Sequence, residues 1–321
     1  MCNRARACNR SRGYSPCAHD LARYVHTTTE GAKPPVSRRR TVVPVPRSRR
    51  PRTTALLSHG LVTLLSAAVL TTVPGTAAAR PANHPDPGRE GAWAGYSIGR
   101  SATEGVPRSA APRAGGVAGM DVSGHQGAVD WAKAWADGAR FSYVKATEGT
   151  GFISDSFGQQ YDGAASVGMD RGAYHFALPD RASGAAQANY FIDHGGGWLP
   201  DGRTLPGALD IEDNPYGEMC YGMAPQQMSD WIAEFSNTYE LRTGRYPAIY
   251  TTTRWWDRCT GANPDFGANN PLWLARFAPE MGPLPAGWDF QAIWQFANSG
   301  IFPGDQNSFN GDAAQLERFT L

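Results

Sequence analysis

Short apolar runs recur along the last two thirds of the chain, and the segments between them set the first structural expectation. Runs at Val117 to Val122, Arg140 to Lys145, Gly172 to Ala177, Ala208 to Glu212, Pro247 to Thr251, Leu272 to Ala275 and Ala292 to Phe296 have the length and the apolar, β-branched character of buried strands. Helical patterns lie between the early ones, near Trp131 to Ala136, Ser154 to Val167, Ser183 to His194 and Pro225 to Arg242. Strands separated by helices need crossover connections, which implies an α/β fold with a mainly parallel sheet. The connections after Pro247 are shorter and less even, so a regular eightfold repeat is not expected.

Composition separates the first 116 residues from this body. Thirteen bases but only two acids precede Arg80, so the near-neutral formal charge of +1 conceals a basic leader and an acidic body. In the leader, Arg47-Ser48-Arg49-Arg50-Pro51-Arg52 is followed by a low-charge run from Ala55 to Val73 and then by Ala77-Ala78-Ala79, the order of a secretory signal peptide with a small-residue cleavage site. Residues 1–79 are therefore expected to be removed on export, and their long basic prelude suggests a start assigned too far upstream. Ser58, His59, Thr63, Ser66, Thr71 and Thr72 dilute the apolar run and argue against a retained membrane anchor. Residues 80–116, rich in Pro, Gly, Ala and Arg, are expected to form a disordered linker. Cys2, Cys8 and Cys17 fall in the leader, leaving Cys220 and Cys259, an even pair that in an exported chain suggests one disulfide. Residues 117–321 are long enough for a single domain with its own core.

Several predicted strands end in polar residues: Asp121, Lys145 through Glu148, Tyr174 and His175, Asp210 and Glu212, Trp273 and Arg276, and Gln295. Parallel sheets and barrels gather their sites at the C-terminal ends of strands, so these side chains could converge on one pocket. Asp210 and Glu212 stand out because a strand's period of two puts them on one face, about 6.7 Å apart along the chain, with Ile211 on the other. Glycosidic cleavage needs such a pair, one carboxyl protonated and one ionised, and repulsion in unequal surroundings drives their pKa values apart. His125 and His175 lack a third ligand at metal-site spacing, so no metal and no cofactor are expected. The body has no Gly-x-Ser-x-Gly elbow, and a bridge would use both its cysteines, which leaves little support for a Ser or Cys nucleophile.

Taken in order, Gly119-Met120-Asp121-Val122-Ser123-Gly124-His125-Gln126-Gly127, Tyr143-Val144-Lys145-Ala146-Thr147-Glu148-Gly149, Gly172-Ala173-Tyr174-His175-Phe176, Leu209-Asp210-Ile211-Glu212, Trp273-Leu274-Ala275-Arg276-Phe277, Trp294-Gln295-Phe296 and Gly304-Asp305-Gln306-Asn307 make residues 118–321 similar to family 25 glycoside hydrolases, the Chalaropsis-type lysozymes. The resemblance implies an irregular TIM-like β/α barrel forming a single catalytic domain. It also implies hydrolysis of the β-1,4 bond from N-acetylmuramic acid to N-acetylglucosamine in peptidoglycan. By the same resemblance Glu212 is the acid, and Asp121, Asp210 and Asp305 complete the carboxylate site. Asp210 would act as nucleophile or, as in substrate-assisted families, orient the 2-acetamido group. Both routes retain the anomeric configuration.

Trp273 and Tyr174 are the aromatics expected to meet sugar, with Lys145 and Gln295 beside them; Lys145 and Glu148 are also expected to pair. Phe277 and Phe296 stand where family members often have Tyr. The expected partner is the peptidoglycan glycan strand, met outside the cell or at the wall by a monomer, with no nucleic acid and no stable membrane association once the leader is gone. Two other readings are a catalytically silent glycan-binding barrel, which the four acids argue against, and a chitinase-like hydrolase. Chitinases resemble an Asp-x-x-Asp-x-Asp-x-Glu strand, whereas Pro206, Gly207, Ala208 and Leu209 precede Asp210 here.

Overall fold

The computed structural model describes residues 88–98 and 115–321; the expected leader over 1–79 and the remainder of the expected linker lie outside the described residues. Eight strands close into a barrel: β1 (Val117–Val122), β2 (Phe141–Glu148), β4 (Asp170–Phe176), β5 (Ala208–Asp210), β6 (Ala248–Thr251), β7 (Leu272–Ala275), β8 (Ile293–Ala297) and β9 (Asp305–Phe309). A two-residue β3 (Phe152–Ile153) is antiparallel to the end of β2. Around the barrel itself the pairings β1–β2–β4–β5–β6–β7–β8 are all parallel, while β9 runs antiparallel to both β8 and β1 and closes the circle. That reversed last strand is what makes the barrel irregular.

Two layers of side chains hold it. On the outer face, Ala173, Leu209, Ile211, Ile249, Leu272 and Leu274 are buried against helices α3 (Gly184–Phe191) and α4 (Pro225–Thr243). The sequence makes α4 a helix through Pro225 at its first turn, Gln227 reaching back to the Ala224 N–H, and Gly244 ending it in the left-handed conformation (φ 77°). Met228, Trp231, Ile232, Phe235 and Tyr239 recur at helical spacing on its buried face, and full burial of each such apolar side chain is worth roughly 1.5–3 kcal/mol. Helices α1 (Trp131–Ala136) and α2 (Phe157–Ser166) cover Met120, Val122 and Val144 in the same way.

The barrel interior is filled by Tyr143, Tyr174, Tyr250 and Trp273. Tyr143 stacks on Trp273 with centroids 4.6 Å apart, and Tyr250 meets the same indole edge-on at 4.9 Å. Glycines make room for the rings: a Cβ at Gly172 would lie 2.5 Å from Tyr143.

Three differences from the sequence reading have physical causes. Strand β9 was not expected, because its inward residues Asp305 and Asn307 are polar and the usual apolar alternation is inverted where a strand faces a polar site. Helices α5 (Thr253–Thr260) and α6 (Ala313–Phe319) are too short for their periodicity to register, although Thr252 and Asp312 cap their first turns. Residues 88–98, inside the expected disordered linker, are packed across the barrel mouth with Ala92, Ala94 and Tyr96 buried.

Cys220, in the loop after β5, is bonded to Cys259 on α5, with Cα atoms 5.3 Å apart and a sequence separation of 39. The bridge anchors the loop that follows Glu212. Reduction should lower the unfolding free energy by roughly 2–4 kcal/mol, read as a lower denaturant midpoint in reductant; an unchanged midpoint would contradict that.

Candidate active site

Strand geometry brings the four acids to one end of the barrel. Asp210 ends β5 on the same inward face as Ala208, while Leu209 and Ile211 belong to the outer layer. Glu212 lies beyond the end of the strand, two residues on, and is buried with Asp210 (1% and 0% exposed). The loop is held there by a hydrogen bond from the Ile211 N–H to the Tyr250 carbonyl (3.0 Å) and by the Arg254–Asp213 ion pair at 2.5 Å.

Asp121 and Asp305, from the two ends of the domain, stand opposite each other in the β1–β9 register. Gln295 bridges them, donating from Nε2 to Asp121 Oδ2 (2.9 Å) and Asp305 Oδ2 (3.1 Å), and its Oε1 accepts from the Tyr250 hydroxyl at 2.7 Å. Asn307 donates to Asp121 at 2.6 Å and accepts from the Trp273 indole at 2.8 Å. Tyr250 and Asn307 were not singled out by sequence reasoning. Asn307 sits in the quoted Gly304-Asp305-Gln306-Asn307 stretch, but only pairing β9 with β1 brings it to Asp121.

Burial sets the electrostatics. It pushes Glu212 up to about 7, against hydrogen bonds from Ser97 and Gly95 that favour its anion. Asp121 is likewise pushed up to about 7 by burial, opposed by Asn307 and Gln295. Burial raises Asp210 and Asp305 well above the ordinary carboxylate range; the Glu212 charge adds most to the first, and the Asp121 and then Glu212 charges add to the second. Burial and mutual repulsion therefore both disfavour having all four groups ionised at once. Asp210 differs from the others in that no N–H donates to either of its buried oxygens; its side-chain hydrogen-bond partner is the Glu212 carboxyl, which raises its pKa further.

The remaining predicted residues divide. Lys145 is fully buried and pairs with Glu148 at 2.6 Å, as expected, and burial lowers its pKa. Its ammonium also donates to the carbonyls of Glu90 (3.1 Å) and Ala92. Tyr174 turns its hydroxyl to the mouth, where the Ala94 N–H lies 3.5 Å away. Trp273 was expected at a strand end; it is instead the second residue of β7, wedged among Tyr143, Tyr250 and Tyr174 beneath Asn307, so it supports the acids from below. His175 lies in the outer layer, bonded to Thr147 and Gln187. An open cleft lined by Met219, Cys220, Arg254 and Arg258 flanks the disulfide rather than the acids.

The family model for Glycosyl hydrolases family 25 matches residues 120–305. The chain is 42% identical over 283 residues to Lysozyme M1 of Streptomyces globisporus, covering 84% of this chain and 94% of that one. It is 49% identical over 207 residues to an N,O-diacetylmuramidase of Arthroderma benhamiae, covering 64% and 88%. Among solved structures, a muramidase from Acremonium alcalophilum superposes with a TM-score of 0.63 at 52% identity, over 64% of this chain and 98% of that one.

Proposed function

The chain belongs to glycosyl hydrolases family 25, and from that membership we propose a secreted lysozyme, a 1,4-β-N-acetylmuramidase that hydrolyses the bond from N-acetylmuramic acid to N-acetylglucosamine in peptidoglycan. The observation that carries the reading is the set of four buried carboxylates, two of them pushed up to about 7, supported by the muramidase and lysozyme relatives.

Glu212, protonated, donates to the glycosidic oxygen as the bond breaks. Asp210 orients the substrate's own acetamido group. No N–H reaches its two buried oxygens, and an acetamido N–H directed at one of them would be held there while the acetamido oxygen attacks the anomeric carbon. Water then opens the cyclic intermediate, with Glu212 as base, and configuration is retained. Positive charge developing on the sugar ring favours ionisation of Asp121 or Asp305, which Gln295 and Asn307 hold in place. Lys145, Tyr174 and Gln295 offer polar contacts to the glycan, and Trp273 floors the site. All four acids come from one chain, which supports a monomer as the working unit. Export rests on the order of features in the leader and on the disulfide; among the described residues no helix is long and apolar enough to cross a membrane.

Digestion of purified peptidoglycan, with chitin in parallel and products read by mass spectrometry, tests the proposal. Fragments with muramic acid at the reducing end are expected. Fragments ending in N-acetylglucosamine, or cleavage of chitin alone, would overturn it.

A further inference from the structure

A stretch of the same chain lies over the acids, against Glu212 and Asp305. Residues 88–98 read Gly-Arg-Glu-Gly-Ala-Trp-Ala-Gly-Tyr-Ser-Ile, and with them in place Asp121, Asp210, Glu212 and Asp305 are each 4% exposed or less. Glu212 accepts from the Gly95 N–H (2.7 Å), the Ser97 N–H (3.3 Å) and the Ser97 hydroxyl (2.5 Å). The Ala92 N–H donates to Glu148 at 2.9 Å, Gln295 donates to the Ala94 carbonyl at 3.3 Å, and His125 Nε2 lies 3.0 Å from the Gly91 carbonyl. Lys145 spends its remaining donors on two more carbonyls of the segment.

We propose that residues 88–98 are an intramolecular occluding segment that fills the glycan cleft and keeps the enzyme latent until it is displaced. This rests on the muramidase reading for the identity of the excluded ligand. The chemistry of the occupant matches that ligand. An N-acetyl group is a secondary amide, with one N–H and one carbonyl, and the segment meets the site through the same groups of its backbone. The three donors on Glu212 favour its anion against the burial that raises its pKa to about 7, and so work against the protonated form that a general acid needs.

The fit is specific at two glycines. Gly91 and Gly95 have φ of 66° and 87°; a Cβ would lie 2.2 Å from Glu148 Oε2 at the first, and 2.9 Å from Phe277 and 3.1 Å from Asp305 Oδ2 at the second. Around them Trp93 packs on Tyr96 (4.7 Å) and on the His125 ring (4.2 Å), and Tyr96 and Ala92 join Phe176 in a small apolar cluster. A tethered occupant competes at a high effective concentration, so KM rises by the reciprocal of the open fraction.

The test compares the full chain with Gly95→Leu. Expelling the segment should lower KM for soluble peptidoglycan fragments about 10- to 100-fold, for an open fraction of about 1–10%, with kcat little changed. A synthetic peptide of residues 88–98 should then inhibit the variant competitively. Should Gly95→Leu fail to fold, Ser97→Ala adds no bulk and removes one donor from Glu212; it should lower KM about three- to tenfold. An unchanged KM in a folded variant, or lost thermal stability with no fall in KM, would overturn the proposal and make the segment a structural part of the barrel. Co-sedimentation with insoluble peptidoglycan separates the two readings. More binding by Gly95→Leu with no cleavage by any variant keeps the occlusion and sinks the muramidase assignment; cleavage with equal KM and equal binding does the reverse.

Discussion

Glu212→Gln is expected to cut turnover of natural peptidoglycan about 10²- to 10⁴-fold relative to the same chain with Glu212. The amide keeps the shape of the side chain and can still accept hydrogen bonds, but it has no proton to transfer. A sugar hydroxyl is a poor leaving group and needs that proton. An aryl glycoside with an activated phenol does not, so on such a substrate the variant should lose far less. The pH profile of the parent gives a second check. Glu212 is pushed up to about 7 by burial, and a bound sugar that excludes water maintains that environment. The acid form is lost as pH rises through that value, so kcat should fall on the alkaline side from about pH 7, and that limb should be absent from the activated substrate. Near-parental activity of Glu212→Gln on peptidoglycan would remove the acid assignment.

Asp210→Asn should be impaired by a similar factor, about 10²- to 10⁴-fold, but on both substrates. Its role is played at the anomeric centre, where positive charge and the acetamido group must be held whatever the leaving group. The structure gives a reason to expect a large effect: the Asp210 carboxyl is fully buried, no N–H donates to either oxygen, and its side-chain partner is another acid, Glu212. A buried acceptor without a donor is costly, and a substrate N–H that satisfies it gains what water would have supplied. Asparagine presents one oxygen and an NH₂, so it both loses the charge and turns a donor toward the acetamido N–H. Both variants should fold, since neither side chain belongs to an apolar layer. The opposite pattern, with Asp210→Asn rescued by the activated substrate and Glu212→Gln not, would mean that the two roles are exchanged.

Much of this was legible in the chain as a string of residues. Strand positions followed from short apolar runs, because a strand covered by helices on one side and rings on the other has no polar face to interrupt it. The period of two picked out Asp210 and Glu212 as a pair, although β5 ends at Asp210 and the following loop brings Glu212 to the site; the Cys220–Cys259 bridge followed from there being no other cysteine in the body. Order of motifs along 118–321 was enough to suggest the family. The sequence reading went astray where a local rule carried the wrong sign. Polar β9 went unrecognised because its inward side chains serve the site rather than the core. Trp273 looked like a sugar platform because its strand's register was unknown.

What the sequence by itself determined is therefore most of the strands, the longer helices, the one cysteine pair and the family, all of which depend on residue type and spacing of a few positions. Only the tertiary structure decided how distant parts meet. Asp121 and Asp305 face each other across Gln295 because an antiparallel β9 closes the barrel between β8 and β1. A stretch whose Gly- and Ala-rich composition reads as linker is ordered in the mouth. Composition speaks to whether a segment can build its own core; it is silent on whether its backbone amides find partners on a surface already built by the rest of the chain.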